Sequence, residues 1–143
     1  MGLGDAKREL PDSFTGGLPR YATAAEPFCR GCLVLEIASY ETNPDLAKDI
    51  ASSGVFDDWQ VIVLHDKIVY ARSTDKFLWA TWTRFNPATD IYAKSVETKH
   101  NHIAYESPIV IDARMKPWYP KEVESDEGTV RSVDSRWQEY FPK

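Results

Sequence analysis

The chain has 143 residues, 43% of them hydrophobic and 27% charged, which suits one domain with an ordinary core. Its net charge of −5, with acids and bases interspersed, offers no basic patch for phosphate and argues against nucleic acid as a partner. No apolar run approaches the roughly 18 residues that span a bilayer, and the opening segment lacks the apolar core of a signal peptide, so the expected place is the cytoplasm, with no membrane partner.

Residues 1–30 contain Pro11, Gly16, Gly17, Pro19 and Pro27 with little periodicity, and are expected to form an irregular N-terminal arm. Residues 31–143 are expected to form a single α/β domain with an extended C-terminal tail. "CLVLEIA", Cys32 to Ala38, is a continuous apolar run that reads as a strand covered on both faces. A helix is predicted over 44–53: Asn43 can cap it, Pro44 suits its first position, Leu46, Ala47, Ile50 and Ala51 make an apolar stripe, and Gly54 ends it.

"WQVIVLHD", Trp59 to Asp66, is a second buried strand, ending in His65 and Asp66. Ser73 or Thr74 then opens a helix with Phe77, Leu78, Thr81, Trp82 and Phe85 as its core face, stopping near Asn86 because Pro87 follows. "PIVIDA", Pro108 to Ala113, is a third buried strand, and a weaker helical pattern runs from Gly128 to Tyr140 around Val130, Val133 and Trp137. The order strand, helix, strand, helix, strand predicts a three-layer α/β fold: an open, mostly parallel, Rossmann-like sheet flanked by helices and joined by right-handed crossovers.

Ligands of such sheets sit beyond the carboxyl ends of the strands, which makes Asp66, Asp112 and Arg114 the first candidates. The loops after the first two strands, "SYETNPD" and "DKIVYARSTD", contain no glycine and so form no phosphate cradle of the glycine-rich kind. A strand-end aspartate that caps a helix or pairs with an arginine is the better expectation. "CRGC" with "HNH" supplies, by count, the four ligands of a zinc site in Cys29, Cys32, His100 and His102; inert thiols and solvated histidines are the competing reading. A thioredoxin-like role is disfavoured because the cysteine pair precedes a strand. No serine stands in a nucleophile elbow, and Glu36, Glu97 and Glu106 are acid–base candidates only if folding gathers them.

Three stretches in one order carry a family likeness: "CLVLEIASYETNPDLAKDIA", "WQVIVLHDKIVYARSTDKFLWATWTRFNPATDIYA" and "SPIVIDARMKPWYP". Together they resemble the C-terminal domain of the UbiD family, the prenylated-flavin-dependent aromatic decarboxylases and carboxylases. The likeness runs from Cys32 to Pro120; it rests on a strand ending in acid, a helix opening with "TD" and containing "LWA" and "TR", and a later strand "IDAR" before "KP". This chain departs from the family where His65, Asp66 and Lys67 stand in place of a more acidic turn.

The family's flavin-binding region and its catalytic glutamate, arginine and glutamate lie ahead of these stretches, so no position here inherits those roles. The resemblance therefore implies a small non-catalytic subunit in a hetero-oligomer. It would dock on a large UbiD-like catalytic subunit that carries prenylated FMN with metal ions (Mn or Mg, and K) and binds the aromatic acid or phenolic substrate. The chain would support assembly or close the substrate cavity.

Five tryptophans, seven tyrosines and six phenylalanines exceed the usual need of one small core and suit an interface. Trp79, Trp118 and Tyr119 lie off the apolar stripes, and Arg84 and Arg114 could add planar contacts to carboxylates. With Asp112, these are the interface candidates. Two other readings stay open: an independent α/β binding or scaffold domain, and the small zinc protein.

Overall fold

A computed structural model describes residues 9–120 and 126–141. Its elements in chain order are β1 (Ala22–Cys29), β2 (Cys32–Ile37), α1 (Leu46–Ser52), β3 (Val61–His65), a 3-10 helix (Ile68–Arg72), α2 (Thr74–Arg84), β4 (Ile91–Tyr92), β5 (Val96–Lys99), β6 (His102–Tyr105), β7 (Ile109–Asp112) and α3 (Glu127–Tyr140). The main sheet has five strands in the order β1-β2-β3-β7-β4. Strands β2, β3 and β7 are parallel, and the two edge strands run antiparallel to them.

The α/β expectation is met, with its three buried strands at the centre of the sheet. β2 and β3 are apolar on both faces, as strands covered on both sides must be. One layer joins Leu33, Leu35, Ile62, Leu64 and Val110 to the α1 residues Leu46, Ala47, Ile50 and Ala51, closed by Phe56 and Trp59. The opposite layer joins Val34, Val63 and Ala113 to Phe77 and Phe85.

Several details depart from the sequence expectation. Residues 22–29 are not irregular: they form β1, a strand paired with β2. Pro27 is tolerated there because β1 lies at the sheet edge. The buried stripe of α2 is Phe77, Ala80, Thr81 and Arg84, whereas Leu78 and Trp82 are exposed. Ring size suggested a face that the spacing i, i+3, i+4, i+7 does not select.

The crossovers also differ. Both connections step the same way across the sheet, from β2 to β3 and from β3 to β7, with α1 and α2 covering opposite faces. The second is not a simple crossover. It passes through α2 to the edge strand β4 and the separate β5–β6 hairpin before inserting β7.

Candidate functional site

The carboxyl ends of the three parallel strands hold a cluster of buried polar side chains: His65, Thr81, Arg84, Asp90, Asp112, Arg114 and Lys116. Asp112 is the last residue of β7, and in the segment beyond it Ala113, Arg114 and Lys116 are buried while Met115 is only half-buried. Each of these charges has a named use.

Arg114 grips Asp112 with two parallel bonds, Nε to Oδ1 at 2.9 Å and Nη2 to Oδ2 at 2.6 Å. Its Nη1 donates to the carbonyls of Ala38 at 3.2 Å, Ser39 at 3.4 Å and Asn43 at 2.9 Å, which fixes the loop between β2 and α1. The guanidinium also faces the Tyr40 ring at 5.1 Å.

Lys116 ties the other side. Its Nζ donates to the carbonyl of Asp112 at 2.7 Å and that of Arg84 at 3.1 Å, and pairs with Asp90 Oδ2 at 2.8 Å. Asp90 in turn accepts from the Asn86 backbone at 2.7 Å and from Thr89 Oγ1 at 3.1 Å. The turn after α2 is thereby locked to the end of β7.

Arg84, on α2, donates to the Tyr70 hydroxyl at 2.9 Å and lies 3.6 Å from Asp66 Oδ2. That same carboxylate oxygen accepts from the Met115 backbone at 2.7 Å. His65 Nε2 meets Thr81 Oγ1 at 3.0 Å, and its ring packs against those of Tyr70 and Phe77. Burial, and next the positive charge of Arg84, push the imidazole down to about 4, although the Ala113 backbone opposes this weakly. His65 is therefore neutral at pH 7.

Within this cluster three acids (Asp66, Asp90, Asp112) face three bases (Arg84, Arg114, Lys116). A buried charge is tolerated when paired and hydrogen-bonded, and these are. The stretch "IDARMK" thus ties together the loop after β2, the end of β3, the end of α2 and the Asp90 turn. Strand-end pairing of an aspartate with an arginine is what the structure holds.

This places the six interface candidates in two groups. Arg84, Asp112 and Arg114 are buried and engaged within the domain, which corrects their assignment as outward contacts. Trp79 and Trp118 are exposed, and Tyr119 is half-buried. Trp118 stacks edge-on against Tyr40 at 5.4 Å. Four of the five tryptophans, Trp79, Trp82, Trp118 and Trp137, are exposed, and only Trp59 is in the core.

The zinc alternative does not assemble. Cys29 and Cys32 flank the turn between β1 and β2, His100 and His102 sit in the β5–β6 hairpin, and among the described residues no three His, Cys, Asp or Glu side chains gather at metal distance. The three glutamates do not converge either. Glu36 accepts from Thr23 and the Ile68 backbone, Glu97 pairs with Lys99, and Glu106 accepts from Ser95.

A flavin phosphate or a divalent ion finds no fit among the described residues, because the buried cations and carboxylates already satisfy one another and the strand-end loops carry no glycine cradle. Among the same residues no helix is long and apolar enough to cross a membrane.

No family model matches the chain. A Chlamydia pneumoniae protein, named as one of the subunits of 4-hydroxybenzoate decarboxylase, is 42% identical over 155 residues, covering 99% of this chain and 24% of that protein. An uncharacterized protein of Chlamydia caviae is 40% identical over 144 residues, covering 100% of this chain and 24% of its own length. The chain spans about a quarter of the length of the curated relatives it matches. Two solved structures of the Sedimentibacter hydroxybenzoicus vanillic acid decarboxylase ShVdcCD in open form, one with truncated ShVdcD, align over 80% of this chain and 27% of theirs. Their identities are 14% and 13%, with a TM-score of 0.43 for each. The chain is homologous, over nearly all its length, to a segment of a protein named as a decarboxylase subunit.

Proposed function

We propose that this chain, a relative of a 4-hydroxybenzoate decarboxylase subunit, is a small non-catalytic part of a UbiD-like aromatic decarboxylase or carboxylase assembly in the cytoplasm. The observation that carries the reading is the 42% identity to that subunit across 99% of the chain. It docks on a larger chain that holds prenylated FMN and its metal ions and binds the aromatic acid.

Two physical features support a supporting role over a catalytic one. The titratable side chains at the strand ends are consumed in internal pairs, leaving no poised acid, base or nucleophile among them. Exposed rings, meanwhile, are costly to leave in water and suit a covered surface. Trp79 and Trp82 project from α2, and Trp118 projects from the segment that leaves the sheet.

The test is co-expression with a large prenylated-FMN decarboxylase chain, followed by native mass measurement and a carbon dioxide release assay. A complex of the two chains, with this chain silent alone, is the expected result. Recovery of this chain by itself under all conditions would instead favour an independent α/β binding domain.

A further inference from the structure

Cys29 and Cys32 take no part in the buried cluster, yet the fold sets them side by side. They are direct partners across the β1–β2 hairpin, separated only by Arg30 and Gly31. Paired residues of an antiparallel ladder have Cα atoms about 4.5–5.5 Å apart, inside the roughly 4.4–6.8 Å window of a disulfide. Side chains of such a pair leave the sheet on the same face.

The turn between them is held from several directions. Gly31 adopts φ 78°, its N–H donates to the Pro11 carbonyl at 2.8 Å, and its carbonyl accepts from the Gln60 and Val61 backbones at 3.1 and 3.0 Å. A pinned turn keeps the two thiols together at low entropic cost, which is the condition for forming an intrachain bond faster than an intermolecular one. The thiols differ in access. Cys29 is exposed and Cys32 is partly buried, and both are free. Burial, reinforced by the adjacent Cys29 sulfur, pushes the Cys32 thiol up to about 12.

We propose that Cys29 and Cys32 are a redox modification site, a dithiol that closes to an intrachain disulfide when it meets a small disulfide oxidant of the glutathione type. Cys29 loses its proton and attacks one sulfur of the oxidant, expelling one thiolate. Cys32 then loses its proton and attacks the Cys29 sulfur, expelling the second. One S–S bond breaks in the oxidant and one forms in the chain. The chain gives up two protons and two electrons, and the oxidant leaves as two thiols.

The experiment treats the reduced full chain with oxidised glutathione at neutral pH and follows intact mass after acid quench, with a non-reducing gel alongside. Wild type is expected to lose the mass of two hydrogens while staying monomeric by covalent mass. Cys32→Ser should stop at one glutathione adduct on Cys29. Cys29→Ser should react roughly tenfold more slowly or worse, because little of the remaining thiol ionises.

The same reaction in urea serves as the reference for a pair held by the fold, and the native chain should close faster. Wild type that stops at the glutathione adduct, crosslinks into dimers, or closes only when unfolded would overturn the proposal. So would Cys29→Ser reacting as fast as Cys32→Ser.

Discussion

Replacing Arg114 with methionine is the sharpest perturbation of the buried ion network. Arg114 and Asp112 are both fully buried, and the guanidinium supplies two bonds to the carboxylate and three to the carbonyls of Ala38, Ser39 and Asn43. Methionine fills similar volume but donates nothing. Asp112 then keeps only its 3.2 Å bond from the backbone N–H of residue 114, while three carbonyls lose a donor. Breaking a buried pair by removing one partner costs about 3–5 kcal/mol, a large share of the roughly 5–15 kcal/mol that holds a domain together.

With a urea slope of about 2 kcal/mol per molar, the unfolding midpoint should fall by about 2 M. The control is the double variant Asp112→Leu with Arg114→Met, which removes both charges. It should recover much of the loss, since an apolar pair carries no unpaired charge. A midpoint for Arg114→Met within about 0.5 M of wild type, or a double variant no better than the single, would refute the account of the strand-end cluster as a structural tie.

His65 should make the fold acid-sensitive. The folded chain holds the imidazole neutral down to about pH 4, while in the unfolded chain it titrates near 6.5. Its contribution is therefore present above about pH 6.5 and is lost as pH falls toward 4, amounting to about 2 kcal/mol by pH 5. Urea melts at pH 7 and pH 5 measure this, and His65→Gln should shrink the difference; equal pH dependence in the two proteins would contradict it. Phe77, stacked on Phe28 at 3.8 Å and buried on the sheet-facing side of α2, should cost about 3–5 kcal/mol when cut to alanine, read from the same melts. Trp82→Ala, on the exposed face of the same helix, should shift stability by no more than about 0.5 kcal/mol while weakening assembly with the larger chain in a pull-down.

The three central strands and three helices were legible because burial imposes a pattern: continuous apolar runs for strands covered on both faces, and for α1 an apolar stripe stopped by Gly54. The expected start at Pro44 under an Asn43 cap is not what forms, since α1 begins at Leu46 with Asp45 as its N-cap and no side-chain cap bond. The elements missed were those that burial does not pattern. β5 and β6 are exposed throughout, and their turn is marked only by positive φ at His100 and Asn101, which a histidine and an asparagine adopt more readily than most residues. β1, with the sequence ATAAEPFC, is an edge strand that carries three alanines, a glutamate and a proline and shows no alternation of burial.

The candidate site was half legible. Asp66, Asp112 and Arg114 were marked by their place after the strands, but their partners Asp90 and Lys116 were not. One signal pointed to Lys116: it follows Asp112 and Arg114 at intervals of two in a short stretch directly after the buried apolar run, and all three side chains are buried. Arg84 was misplaced for the opposite reason. A charged residue within a helix reads as surface, and only the stripe through Phe77, Ala80 and Thr81 puts it inside.

The central claim is that this 16.3 kDa chain is a silent companion of a cofactor-bearing decarboxylase chain. Native mass spectrometry of the two chains purified together, paired with an assay for carbon dioxide release by each fraction, tests it directly. The account predicts a mixed complex with activity and an isolated small chain with none. An isolated small chain that decarboxylates an aromatic acid, or one that never associates with the larger chain, would contradict it.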